Sequence, residues 1–411
     1  MIRQLARRLG VAFAYVVGHL RPRDRRTWVF GNITGFRDNP RYLAEYVIDH
    51  HPELTAWWLA RSAPEADAAR KAGLHVAMLG ERQGTRLQRR AGVAFLTNGF
   101  QDLEAANLGG AYVVDLRHGK GLKRILLDQE SWDRPEEPWS LLRYRFRRWF
   151  AARRLSQVDM VVAGGEWAKS MYVSAFGLPP SKVHVLGLPR YDVIQGGRAD
   201  NRVVDGDVRR ELSLESGKYV ALWLPTWRES GDAGWLPHLQ GVEIEGLWAD
   251  EDLVLIVKRH PYTDPAFFAQ RLPDHPKIRV LPEEEVDVNC LLRVADALVT
   301  DYSSAAFDYA LLDRPIHFFV PDIDAYRGGR GLYEPLETLT GGRHHVTWTS
   351  LLMAIRDGAH GQDAEALAIA RRIRERSRNN DSLGSCARIT AAVASAVGLP
   401  MRGDEGGGRP A

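Results

Sequence analysis

Twelve short apolar runs punctuate the chain, and most are separated by polar stretches with helical spacing. TWVFG, LTAWWLA, HVAMLG, GVAFLTNG, AYVVDL, MVVAGG and VHVLGLP come first; YVALWLPTW, LVLIVKR, IRVLP, ALVTD and IHFFV follow. Runs of this length rich in β-branched and aromatic residues read as strands, and the intervening PRYLAEYVIDHH and EWAKSMYVSAFG read as helices. The alternation predicts parallel sheets with crossover helices, an α/β fold. A polar, glycine-containing stretch, IQGGRADNRVVDGDVRRELSLESGK, falls near mid-chain and separates two halves of comparable size. It predicts a linker over 194–218 between an N-terminal α/β domain, 27–193, and a C-terminal one, 219–375. Two closing helices are expected over 363–397, the last of them within 376–398, and a disordered tail over 399–411. Two such halves facing each other would enclose a cleft lined by the C-terminal ends of strands.

Length supports the division, because 411 residues exceed one ordinary core. With 45% hydrophobic and 26% charged residues, the composition is that of a soluble globular protein and excludes wholesale disorder. Cys290 and Cys386 lie far apart with no CxxC pair, so neither a disulfide framework nor a zinc site is indicated. A reducing cytoplasm fits that usage.

The formal net charge is only +3, but the cations are unevenly placed. Arg3, Arg7 and Arg8 precede an apolar stretch from Gly10 to Leu20, and Arg21, Arg23, Arg25 and Arg26 follow it. The stretch is too short to span a bilayer, which takes roughly 20 apolar residues. Its basic downstream flank and lack of an A-x-A-like site argue against a cleaved signal peptide. The preferred reading is a short amphipathic helix within a membrane-associating arm, 1–26; a plain first helix of the fold is the alternative. The segment LLRYRFRRWFAARRL, 141–155, carries six Arg and no acid, interleaved with Tyr144, Phe146, Trp149 and Phe150. That mixture suits an anionic membrane surface, with aromatics in the interface and guanidinium groups on phosphates. No nucleic-acid motif accompanies it, so nucleic acid is not expected as a partner.

Chemistry-bearing residues gather just after the apolar runs. In VVDLRHGKGLKRILLD, His118 is flanked by Arg117, Gly119, Lys120, Gly121 and Lys123. The glycines allow close backbone approach, and the cations would attract an anion and help hold His118 neutral, able to accept a proton. In LWLPTWRES, Thr226 and Arg228 follow a strand stopped by proline; an ordinary strand exit explains them equally well. Lys258, Arg259 and His260 close the most apolar run, an arrangement that is costly unless it faces an anion or solvent. In ALVTDYSSAAFDYALLDRPIHFF, a strand end, Ser303, Ser304 and a helix start make a phosphate-binding corner, with Asp308 one turn on. Together these groups suit a pyrophosphate. No GxxxxGK[ST] is present, since Ala163 and Ala168 occupy both glycine positions of AGGEWAKS, and no GxGxxG follows the first strand. The acid pair in DID, 322–324, is too short a match to argue for a metal.

The ordered set RHGKGLK, GLPRYD, LPTWR, KRHP, TDYSSAAFDYALLDRPI and YRGGRGLYE, with GNITGFRDNPRYLAEY before it, resembles the CDP-glycerol glycerophosphotransferase family of teichoic-acid and capsule polyol-phosphate transferases. The resemblance runs from about residue 27 to 390 and implies two Rossmann-like domains in a GT-B-like arrangement. It implies that the first half holds acceptor and membrane and the second holds a CDP-linked polyol donor. Carried over, His118 is the general base on the acceptor hydroxyl, and His260 binds the donor pyrophosphate and stabilises departing CMP. Ser303 and Ser304 bind donor phosphate, supported by Thr226, Arg228, Arg259 and Asp308. Arg117, Lys120 and Lys123 stand on the acceptor side. No cofactor or catalytic metal is implied, and the expected place of work is the cytoplasmic face of the plasma membrane, with a lipid-linked acceptor. The family's first motif commonly reads Trp-His-Gly-Thr-Pro-Leu-Lys; here Arg117, Lys120 and Gly121 replace Trp, Thr and Pro. Tyr191 stands where Asn is usual and Glu334 where Asp is usual. These departures surround the acceptor side and leave acceptor and polyol open. The alternative is a GT-B glycosyltransferase using a nucleotide sugar, because fold alone does not set function.

Overall fold

The computed structural model describes residues 14–119, 122–129, 137–196, 208–215, 217–228, 235–249, 251–260, 263–282, 286–323, 332–378 and 382–400. Lys120, residues 1–13 of the expected arm, 197–207 and 216 of the expected linker, and the tail beyond residue 400 lie outside the described residues. The chain forms two compact units.

All twelve apolar runs are strands. The first seven, β1 (Asp24–Phe30), β2 (Thr55–Ala60), β3 (His75–Met78), β4 (Ala91–Leu96), β5 (Tyr112–Asp115), β6 (Met160–Ala163) and β7 (Val183–Val185), make one parallel sheet in the order 3-2-1-4-5-6-7. The remaining five, β8 (Tyr219–Leu224), β9 (Leu253–Lys258), β10 (Ile278–Leu281), β11 (Ala297–Thr300) and β12 (Ile316–Phe318), make a second parallel sheet, 10-9-8-11-12. Every residue of β4, β6, β9 and β11 is buried, which is why they read as unbroken apolar runs rather than alternating ones. Both sheets are doubly wound about their first strand. Each therefore reverses direction beside that strand, and the loops beyond its C-terminal end and its neighbours' are where such folds take ligands.

The second unit is cored by aromatics. Trp223 of β8 lies edge-on to Phe268, Phe319 and Trp348, with Trp248 buried nearby. The Trp248 indole donates to Leu352 O at 2.9 Å and the Trp348 indole to Pro237 O at 2.8 Å, so these rings bury area without stranding their donors.

Residues expected in one continuous half are shared between the units. Gly119–Arg145 packs with the second unit, and the described residues from Ser382 onward return to the first. The closing helices thus part company: Ala364–Ser377 belongs to the second unit and Ser385–Ala396 to the first. At Asp192 the two Oδ atoms accept from the backbone N–H groups of Gly384, Ser385 and Cys386, each at 2.8 Å, which anchors the returning helix.

The described part of the N-terminal arm packs on the first unit. A helical stretch over 14–18 lies on the loop before β5, backbone against backbone; a Cβ on Gly109 would come within 1.8 Å of Tyr15 O. Arg23 donates to the carbonyls of Gln88, Ala91, Asn107 and Gly109, so its charge serves the first unit rather than a lipid headgroup. No helix among the described residues is long and apolar enough to cross a membrane.

Candidate active site

In the first unit the site forms beyond β1 and β5. The helix Asp38–His50 starts after β1 and carries Asp38 and Asn39 on its first turn. His118 follows β5, exposed over 65% of its side chain, and its Nδ1 lies 2.8 Å from Asp38 Oδ2. Arg190, buried at the start of the helix Pro189–Ile194, donates from Nη1 to Asp38 Oδ1 at 3.2 Å and to His118 O at 3.0 Å. Asn39 donates to Arg117 O at 2.7 Å and accepts from the Arg190 amide at 3.1 Å.

Electrostatics sets the tautomer. Burial pushes the Asp38 carboxyl up, but Arg190 and the His118 hydrogen bond outweigh it and hold the group at about 2. A carboxylate that remains ionised at neutral pH requires the proton on His118 Nδ1, which leaves the Nε2 lone pair as the basic site. An acid behind an imidazole that meets a hydroxyl is the orienting arrangement of a general base.

The sequence reading surrounded His118 with three cations, and the structure revises this. Arg117 turns inward, its guanidinium over the Tyr172 and Phe176 rings at 5.3 and 5.1 Å and its Nη1 3.5 Å from Asp115 Oδ2. Its charge is thus paired inside the unit. Lys123 packs with the second unit, where its backbone bridges Leu332. Lys120 falls outside the described residues.

In the second unit the groups gather beyond β8, β9, β11 and β12. Asp301, 1% exposed after β11, accepts from the Thr226 amide on both oxygens at 3.0 Å and from the Thr226 hydroxyl. Arg228 donates to Asp301 Oδ2 at 2.9 Å and, through Nε and Nη2, to both oxygens of Asp322 at 2.8 and 3.2 Å. The guanidinium also lies over the Trp235 and Tyr302 rings at 4.3 and 5.2 Å. Burial disfavours its charge, but the two carboxylates reverse the effect and raise its pKa. One guanidinium between two carboxylates leaves this cluster net negative. Thr226 and Arg228 thus tie the strand-end loops together through Asp301 and Asp322.

His260 follows β9 half-buried, its ring parallel to Trp227 with centroids 6.5 Å apart. Arg259 beside it donates to Thr263 O at 3.2 Å. Ser303 and Ser304 are half-buried ahead of the helix Ala305–Tyr309; the Ser303 hydroxyl accepts from the Ala305 amide at 3.2 Å, and Ser304, the N-cap residue, makes no side-chain cap. Asp308 is buried to 7% exposure in that helix. Among the described residues no group of three or more His, Cys, Asp or Glu could hold a metal ion.

The family model described as CDP-Glycerol:Poly(glycerophosphate) glycerophosphotransferase matches residues 13–394. The chain belongs to this family. It is 26% identical over 318 residues to the teichoic acid poly(glycerol phosphate) polymerase of Staphylococcus epidermidis, covering 75% of this chain and 42% of that protein. Over 190 residues it is 30% identical to the teichoic acid ribitol-phosphate polymerase TarL of Staphylococcus aureus, covering 45% of this chain and 33% of that one. The chain thus spans less than half the length of these curated relatives. Its fold matches that of a variant of the wall teichoic acid polymerase TagF with a TM-score of 0.74, 19% identity and coverage of 97% of this chain and 96% of that one.

Within this chain, the residues that sequence reasoning missed are the partners of those it found. Asp38 and Asn39 lay in the quoted GNITGFRDNPRYLAEY and Arg190 in GLPRYD, but nothing local ties them to His118. Asp301 and Asp322 were visible as acids near a serine pair; that both serve one arginine follows only from the folded sheet.

Proposed function

We propose that the chain transfers glycerol phosphate, or a related polyol phosphate, from a CDP-linked donor to a hydroxyl of a lipid-linked teichoic-acid or capsule acceptor. The single observation that carries this reading is the Asp38–His118 pair braced by Arg190, in a chain of this family. His118 Nε2 takes the proton of the acceptor hydroxyl as its oxygen bonds to the phosphorus nearer the polyol. The bond from that phosphorus to the bridging oxygen breaks, and CMP leaves with the electron pair. Transfer of this kind rests on positioning and charge stabilisation rather than covalent help. Arg259, His260 and the Ser303–Ser304 corner are the groups assigned to the pyrophosphate. The reaction is proposed to need no metal, because Asp301 and Asp322 are already engaged by Arg228.

Purified protein given CDP-glycerol and a lipid-linked glycerol-phosphate acceptor is expected to release CMP at the same rate with and without EDTA. CDP-ribitol run alongside identifies the polyol. Nucleoside diphosphate release from a nucleotide sugar, with none from either CDP-polyol, would overturn the reading.

We also place the work at the cytoplasmic face of the membrane, held there peripherally. The helix Pro138–Leu155 supports this: Leu142, Phe146, Trp149 and Phe150 are 68, 62, 59 and 53% exposed among the arginines of the same helix. Such exposed aromatics beside guanidinium groups suit a headgroup region. Replacing Phe146 and Trp149 together by Ser should lower binding to anionic vesicles about tenfold or more without changing the melting temperature. Equal sedimentation of both proteins with vesicles would remove the helix as the anchor.

A further inference from the structure

Asp38, the acid behind the base, stands on a left-handed backbone. Its φ is +61, while Arg37 before it is extended at φ −158. A non-glycine residue keeps a positive φ only where its surroundings hold it, although Asp tolerates that region better than most. Rotation about the Asp38 N–Cα bond is set by the plane of the peptide that carries the Arg37 carbonyl. That carbonyl accepts from the Asn32 side-chain amide at 3.1 Å. Downstream, Asn39 fixes the first helical turn by donating to Arg117 O at 2.7 Å and accepting from the Arg190 amide at 3.1 Å. Asp38 thus lies between two anchors, both within the first unit.

Asn32, just beyond β1, is itself firmly held and only 1% exposed. Its Oδ1 accepts from the Thr34 amide at 3.0 Å, the Thr34 hydroxyl at 2.9 Å and the Asn98 side-chain amide at 2.9 Å. An N–H can only donate and a carbonyl can only accept, so these partners fix which end of the Asn32 amide faces Arg37. Asn98 in turn is seated by Asp102, which is fully buried. Asp102 Oδ2 accepts from the Thr97 and Asn98 amides at 2.7 and 2.6 Å, and Oδ1 accepts from the Ile33 amide at 2.9 Å. The loops after β1 and β4 therefore share one buried polar network that ends on the Arg37 carbonyl. The transfer step described above makes no use of it.

We propose that Asn32 is a positioning residue, whose amide pins the Arg37 carbonyl and so holds Asp38 where its carboxylate meets His118 Nδ1. The inference rests on the transfer reading above and deepens it by naming what sets the tautomer of the base. With both anchors in place, the Asp38 carboxylate stays 2.8 Å from Nδ1 and keeps the proton there. Without the Asn32 anchor, the chain relaxes through the Arg37 and Asp38 dihedrals, and the carboxylate loses its fixed place. Both His118 tautomers then become populated, and only part of the protein offers a lone pair on Nε2. Asn32 touches no reacting atom in this scheme.

The test compares Asn32→Ala, Asn32→Asp, Asn98→Ala and Thr34→Ala in the full chain. Asn32→Asp keeps the accepting oxygen but cannot donate to Arg37. Asn98→Ala alters a half-buried side chain and frees one end of the Asn32 amide, and Thr34→Ala trims an exposed residue while leaving the Arg37 bond in place. Both Asn32 variants are expected to lower kcat for CMP release about tenfold, and Asn98→Ala about threefold, while CDP-glycerol affinity by calorimetry stays within about twofold. Thr34→Ala should remain within about twofold of wild type in both. A second readout needs no turnover: long-range proton–nitrogen NMR of histidine-labelled protein, with the His118 signals assigned from His118→Ala. Wild type should show the proton on Nδ1, and the Asn32 variants a mixture of tautomers. A wild-type tautomer in Asn32→Asp overturns the proposal, as does undiminished kcat there, or a loss in Thr34→Ala that equals the Asn32 loss. If neither Asn32 variant folds, Asn98→Ala decides, and unchanged tautomer and kcat in it overturn the proposal. Should the wild type release no CMP, the transfer reading fails by itself, while the tautomer still decides whether Asn32 positions Asp38.

Discussion

His118→Ala is expected to reduce CMP release by about 10²–10⁴-fold while leaving CDP-glycerol affinity nearly unchanged. The side chain is largely exposed and makes its one described polar contact with Asp38, so its removal strips the base without opening the core. Asp38→Asn should fall within the same range for a different reason. The carboxylate is ionised at neutral pH and fixes the Nδ1–H tautomer; an amide can present its own N–H to Nδ1 and turn the lone pair away from the acceptor. The pair should also be non-additive, because both substitutions disable one unit. Single-turnover CMP release with saturating donor reads the loss, and calorimetry reads donor binding. Activity within threefold of wild type in His118→Ala would remove it as the base.

Arg228→Met should cost about 3–5 kcal/mol of stability, because it leaves the buried Asp301 and the mostly buried Asp322 carboxylate without their shared cation. The pair of acids supplies a signature. With the guanidinium gone, two carboxylates face each other without a cation between them, so Asp322→Asn in the same background should recover part of the loss. Urea unfolding of the single and double variants measures both effects. Donor affinity should drop as well, since Thr226 and the loop after β11 share Asp301 with Arg228. Wild-type stability in Arg228→Met would show that the cluster is not the brace described here.

Almost all of the regular structure was legible because it is written locally. Strands buried on both faces appear as short apolar runs, and a parallel sheet needs a helical crossover between them, so the twelve strands could be read off one after another. The strand-end polar groups were visible for the same reason, as a His, Arg or Ser stands out directly after an apolar run. Their division of labour was not. Arg228 reads as a phosphate ligand in LPTWR, and nothing in that segment reveals the two acids that neutralise it from 73 and 94 residues away. Arg117 reads as a neighbour of His118, but its positive φ turns the side chain inward to Asp115 and two aromatic rings.

By itself, then, the sequence determined the α/β class, the strand count, the candidate base and the family pattern, all of which depend on residues close together along the chain. Tertiary structure alone decided which carboxylate faces which cation. Asp38 meets His118 across 80 positions and Asp301 meets Thr226 across 75. Such pairings depend on strand order and on where the chain crosses from one unit to the other. A charge's local neighbours do not report its partner, because burial and pairing are set by the whole fold.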